Sequence, residues 1–307
     1  MSGRRKEVRE KWFQSGVNAF QRSFPDAPTH YPCPLCLRGF EHSDSLTFED
    51  VPPKNAGGRP LVLTCYECNN RSGSLLDNHI DHGRRLREIA NGRRTASVTL
   101  CQFGQRLNAG AVLGPNTLTV YGLPENNHPE TNEEWSSNLD EAAAQASTDW
   151  GFTLSVKTIH KPHRESVAWL RVAYLYLFAA FGYRFAFRSE LEPIRRQIHN
   201  PDERIVPNAI TKTKGNDDKD GIKLVHAPDG LRSIAVALGS RMFWFPNFDR
   251  NQSLYKCMKE LGEGSVASRV TGYHMDLPTK PVYGFDYDPC FMWYTVPKAE
   301  RPQQFRD

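Results

Sequence analysis

The chain has 307 residues, 39 Lys and Arg against 35 Asp and Glu, a net charge of +4 and seven cysteines. That length fits two domains, or one with a large extension, and buries a core without covalent staples. The opening Met1-Ser2-Gly3-Arg4-Arg5-Lys6 lacks the apolar core of a signal peptide, and no run reaches the roughly 20 uncharged apolar residues of a membrane span, so a cytoplasmic protein with no membrane partner is expected.

The basic excess is local. Residues 1–94 hold 15 basic and 11 acidic side chains, whereas the remainder is balanced. A concentrated positive segment suits a polyanion, and an ordinary solvated surface gives the same count.

Residues 4–23 predict an amphipathic helix. Trp12, Phe13, Val17 and Phe20 recur at helical spacing behind Arg4, Arg5, Lys6, Arg9 and Lys11, and Pro25 and Pro28 end it. Two Cys-x-x-Cys pairs follow, Cys33/Cys36 and Cys65/Cys68, with 28 residues between them. In a chain without an export signal this spacing points to a metal, and four thiolates make a closed tetrahedral zinc site with no open position. Such zinc is structural.

A second helix is expected from about Ser74 to Asn91. Ser74 and Asp77 stand at capping-box spacing, and Leu75, His79, His82 and Leu86 share a face. On this reading Asp77 is a cap as readily as a ligand, and His79, on an apolar helix face, is more readily a core residue than a ligand. Arg84, Arg85, Arg87, Arg93 and Arg94 form the densest basic stretch, suited to phosphates or to a solvated face.

Gly and Asn then punctuate short apolar runs at 96–103, 109–113 and 117–121, which predict an antiparallel meander. Residues 124–149 are polar and acidic and read as a surface excursion; 152–159 read as a strand. Residues 163–181 are apolar nearly all round and predict a buried central helix, ended by Gly182. A shorter helix (189–199), a loop (211–220) and strands near 222–226, 233–238 and 242–245 complete the chain.

The segment between and after the knuckles resembles the zinc-knuckle branch of the HNH endonuclease family. The matching positions are Glu49, Pro52, Pro53, Gly57, Gly58, Cys65, Cys68, Asn69, Asn70, Gly73 and Asp77, within residues 30–82. The family's histidine position is Asp50 here. The resemblance implies a zinc-bound ββα module in which a residue on the first strand activates water, while an acidic residue and one on the following helix hold a catalytic Mg2+ or Mn2+. Glu49, Asp50, Asn69, Asn70, Asp77 and His79 are the implied catalytic set. Lys54, Arg71, Arg84, Arg85 and Arg87 are the candidate nucleic-acid contacts, and Cys33, Cys36, Cys65 and Cys68 the zinc ligands.

The combined expectation is an α+β protein: an N-terminal amphipathic helix (1–29), an HNH-like zinc-binding module (30–94), and a C-terminal α+β domain (95–307) with antiparallel strands and helices. Its function would be metal-dependent hydrolysis of DNA phosphodiester bonds. The alternative is a catalytically degenerate zinc finger that binds nucleic acid or a protein partner of a multi-component system.

Overall fold

A computed structural model describes residues 3–144, 151–212, 219–227, 231–246, 254 and 271–281. The chain is mixed α and antiparallel β, and it divides into two compact units. One comprises residues 1–78 with 162–307; the other is the inserted segment 79–161. The expected divisions at 29/30 and 94/95 both fall inside these units.

The first unit opens with helix α1 (Gly3–Ser23). Its apolar stripe buries Phe13, Val17 and Phe20, as the spacing requires. Phe13 stacks on Tyr31 at 6.0 Å, and Phe20 meets Tyr183 edge-on at 5.2 Å. Gly16 lets this contact close, because a Cβ there would stand 2.2 Å from the Tyr31 ring.

Two short hairpins follow. Strands β1 (Tyr31–Pro32) and β2 (Gly39–Phe40) flank the first cysteine pair, and β3 (Leu46–Val51) pairs antiparallel with β4 (Arg59–Cys65). The register of the second hairpin slips between Glu49, opposite Val62, and Asp50, opposite Pro60. Proline has no N–H for the ladder, which suits it to such an irregularity. Gly57 turns the hairpin at φ 85°, and a Cβ on Gly58 would lie 1.5 Å from the Pro52 carbonyl oxygen, so both positions demand glycine.

Helix α2 (Tyr66–Ser72) begins directly after β4, earlier than the expected start at Ser74. Its N-cap is Cys65, whose sulfur accepts from the Cys68 N–H, so the second knuckle itself starts the helix. A π turn (Gly73–Asp77) follows. Asp77 ends that turn, and its carboxylate accepts from Arg171.

Helix α5 (Pro162–Ala186) is the core of this unit, with all but a few side chains buried. Gly182, at φ 67°, breaks its regularity where the sequence places a stop, and one further turn follows. The helix is long and apolar enough to qualify as a membrane span, but 89% of its apolar window lies inside the protein. Helix α6 (Glu192–His199) packs beside it.

Five antiparallel strands complete the unit: β9 (Ile210–Lys212), β10 (Gly221–Ala227), β11 (Ser233–Leu238), β12 (Arg241–Pro246) and β13 (Thr271–Met275), in the order β13-β10-β11-β12-β9. Every residue of β11 is buried, which is why Ser-Ile-Ala-Val-Ala-Leu shows no alternation. The edge strands β9 and β13 were not foreseen, being short and flanked by polar residues. Positions 213–218 of the expected 211–220 loop lie outside the described residues.

The second unit contains α3 (Asn78–Ala90), β5 (Ala96–Gln102), β6 (Gln105–Leu113), β7 (Leu118–Gly122), α4 (Pro129–Ala144) and β8 (Thr153–Ser155). Its sheet runs β7-β6-β5-β8, all antiparallel, as the meander predicts. Phe103 and Gly104, both at positive φ, form the two-residue β5–β6 turn. The acidic stretch forms α4, which buries none of its residues; positions 145–150 lie outside the described residues.

Candidate metal centre and the adjoining cleft

Local backbone chemistry builds both knuckles. In the first, Cys33 N–H donates to the Arg38 carbonyl at 2.9 Å and Leu37 N–H to the Cys33 carbonyl at 2.8 Å. Leu37 closes this loop at φ 60°. In the second, Cys65 ends β4 and Cys68 lies one turn into α2. The four Sγ atoms all fall within 4.8 Å of one another, and Cys36 and Cys65 are 3.8 Å apart. Thiolates ~2.3 Å from a tetrahedral zinc stand ~3.8 Å from each other, so the cluster can hold a metal such as zinc.

The sulfurs share their protons unequally. A hydrogen bond from Cys33 holds the Cys36 thiol well below its ordinary range and brings Cys65 to about 6, whereas burial raises Cys33. Hydrogen bonds from the other three thiols raise Cys68, so two of the sulfurs are held toward thiolate and two toward thiol. Arg38 adds a nearby positive charge, 3.8 Å from the Cys65 sulfur, and pairs with Glu67.

Helix α5 fixes the first knuckle from behind. Tyr174 Oη donates to the Pro34 carbonyl at 2.7 Å and Tyr183 Oη to the Pro32 carbonyl at 3.2 Å. Burial pushes the Tyr174 phenol up to about 12, so it remains a donor. From the other side Tyr31 Oη donates to the Leu63 carbonyl, and His199 Nε2 donates to the Leu35 carbonyl at 3.1 Å.

A cleft of about 660 Å³ lies against the β3–β4 hairpin. Its lining includes Glu49, Asp50, Lys54, Asn69, Asp77 and Asn78. Four of the six implied catalytic residues therefore meet at one place. None of the residues lining it is a histidine.

Behind the lining, buried Arg171 bridges two of the cleft's carboxylates. Its Nη1 donates to Asp77 at 2.7 Å and its Nη2 to Glu49 Oε1; Thr64 donates to the other Glu49 oxygen at 3.0 Å. Arg171 is 1% exposed and Glu49 3%. Burial raises both carboxyl pKa values, opposed by the guanidinium, while the two carboxylates keep Arg171 charged against its desolvation. Arg171 Nε is buried with no partner among the described residues.

Asp50 points to a different fate. It is partly buried, its pKa is raised by desolvation, and Lys54 and Arg5 pull the other way. Arg5 also lies over the Phe48 ring at 5.6 Å, beside the cleft. Asn69 Nδ2 donates to the Phe48 carbonyl at 3.2 Å, pinning α2 to the hairpin.

The remaining implied residues lie elsewhere. Asn70 is exposed on α2 and does not line the cleft. Arg71 donates to the His199 carbonyl at 2.7 Å. His79 belongs to the second unit, where it is buried and its Nδ1 accepts from Lys161 N–H at 3.2 Å. There too Arg84 pairs with Asp81 and Glu88, and Arg85 with Asp81; Arg87 also has a partner. The basic stretch is thus largely neutralised by its own helix.

A divalent ion does not fit the cleft as it stands. Glu49 and Asp77 are committed to Arg171, and Asp50 is the free carboxylate that lines it. Among the described residues, the four cysteines form the metal-competent cluster. Arg171 itself was missed from the sequence, although an arginine inside Leu170-Arg171-Val172 on an all-apolar helix signals a buried charge that must find acids.

Compared with known proteins, the chain matches no family model, no curated protein and no solved structure.

Proposed function

We propose that this is a zinc-stapled, HNH-like protein that binds DNA through the cleft beside its β-hairpin, with Arg171 standing where the family holds its catalytic metal. The observation that carries the reading is the bridge from Arg171 to both Glu49 and Asp77. The resemblance assigns those two residues to the divalent ion, and a guanidinium between them supplies fixed positive charge without a metal. The four cysteines hold the structural zinc that joins hairpin to helix. Lys54 and Arg5 at the cleft are the phosphate contacts, attracting the backbone without reading its sequence.

One observation favours the endonuclease reading. Asp50 remains available in the cleft, and its raised pKa moves it toward the range of a useful base.

Supercoiled plasmid incubated with Mn2+ or Mg2+, beside DNA-binding anisotropy of the zinc-loaded chain with neither ion added, separates the two. The binding reading expects Lys54-dependent affinity that needs neither Mg2+ nor Mn2+ and nicking no greater than that of Asp50→Ala. Metal-dependent nicking by wild type, lost in Asp50→Ala, overturns it in favour of the endonuclease. Failure to bind DNA under either condition removes both.

A further inference from the structure

A second cavity, of about 390 Å³, opens at the start of α5 in the first unit. That volume lies within the ~300–1,000 Å³ usual for small-molecule sites. Its floor includes Val167 and Leu170, both buried, and its walls carry His163, Arg204, Lys212 and Arg241.

The charges at this cavity are unbalanced. Arg241 is paired with buried Glu165 at 3.0 Å. The neighbouring Asp202 is taken by Arg164 through both of its oxygens. Arg204 and Lys212 are left with no acidic partner among the described residues. Two cations with no acidic partner among the described residues, over an apolar floor, make a site for a dianion with an apolar body.

The segment carrying Arg204 is also held in place. Gln197, buried on α6, accepts from the N–H groups of Ile205 and Val206 at 2.8 and 3.3 Å and donates to the Glu203 carbonyl at 2.7 Å. His163 Nε2 donates to the same carbonyl at 2.9 Å, and Asp202 is tied to α5 through Arg164. Such support lowers the ordering cost of binding.

We propose that this cavity binds a nucleoside monophosphate, its phosphate on Arg204 and Lys212 and its base on the Val167–Leu170 floor. A phosphate monoester carries about −1.5 to −2 charge near pH 7, which the two cations match. The proposal is independent of the zinc cluster and of the DNA-binding reading.

Isothermal titration of the full zinc-loaded chain with AMP, GMP, CMP and UMP, with adenosine and inorganic phosphate as controls, tests it. At least one monophosphate should bind once per chain, both controls more weakly. The Arg204→Ser/Lys212→Ser variant should lose about tenfold or more in affinity, equivalent to about 1.4 kcal/mol. Its melting temperature and zinc content should not change, because both residues are exposed. The proposal is overturned if no monophosphate binds at millimolar concentration, if a control binds equally well, or if the double variant binds like wild type. It is overturned as well if Arg204 and Lys212 matter only for an oligonucleotide, which would make the cavity part of a DNA track.

Discussion

Replacing Arg171 with methionine tests the bridge on which the cleft is built. Methionine keeps much of the side chain's length and removes its charge, leaving Glu49 and Asp77 without their shared counter-ion. Breaking a buried pair on one side costs about 3–5 kcal/mol, because the remaining charge is stranded. Urea m-values are about 1–3 kcal/mol/M for small proteins and rise with size, so the midpoint should fall by about 1 M at pH 8. The deficit should depend on pH. Burial already raises the folded-state pKa of both carboxyls, so the folded form takes up protons more readily than the unfolded one. Stability from that source is present at low pH and is lost as pH rises through the folded pKa values. Without Arg171 those values rise further, so the variant should lag most at pH 8 and least near pH 5. Urea melts of variant and wild type, compared at each pH, give the measurement. Adding Glu49→Gln and Asp77→Asn to the variant should recover part of the loss at pH 8. A variant within about 1 kcal/mol of wild type at pH 8, or a deficit that ignores pH, refutes the buried bridge.

Three other perturbations follow from the same geometry. Metal analysis should find about one zinc per chain in wild type, and Cys65→Ser should abolish it and lower the melting temperature, since structural zinc contributes an apparent ~10–16 kcal/mol in small peptides. Tyr174→Phe removes the hydroxyl bonded to the Pro34 carbonyl and should cost about 0.5–1.5 kcal/mol in urea melts, with faster zinc transfer to a chelator. Gly58→Ala puts a methyl group against the Pro52 carbonyl, so a loss of about 1–3 kcal/mol is expected in the same melts.

The cysteine cluster was legible because a two-residue gap fixes local geometry: each pair sits on its own tight turn, whatever surrounds it. Helix α1 and strand β5 were legible from periodicity, since each buries the face its pattern marks, whereas α5, β11 and β12 were legible as continuous apolar runs, being buried nearly all round. Partnership across long separations was not. Arg171 lies 122 residues from Glu49 and 94 from Asp77, and no local pattern says which acids a buried arginine will find. The same blindness set the second helix eight residues late. Ser74 and Asp77 have capping-box spacing, but the cysteine sulfur at position 65 had already supplied the cap.

Those long-range bonds bear on whether the segment carrying the four-cysteine cluster is autonomous. Residues 30–82 carry every position of the HNH resemblance, which suggests a module that folds by itself around its metal. Helix α5 argues otherwise. It donates hydroxyls to the carbonyls of Pro32, Pro34 and Val51, and it neutralises Glu49 and Asp77. A fragment of residues 1–94 would therefore bind zinc while exposing three unmet carbonyls, two uncompensated carboxylates and the apolar faces of Phe20 and Tyr31. Each lost neutral hydrogen bond is worth about 1 kcal/mol, and the two carboxylates exchange Arg171 for water and repel each other. Metal competition should then show weaker zinc affinity than in the whole chain, and amide NMR a poorly dispersed spectrum even with zinc bound. A dispersed spectrum with unchanged affinity would mean that the four thiolates organise the hairpin unaided, and that α5 merely leans on a module already complete.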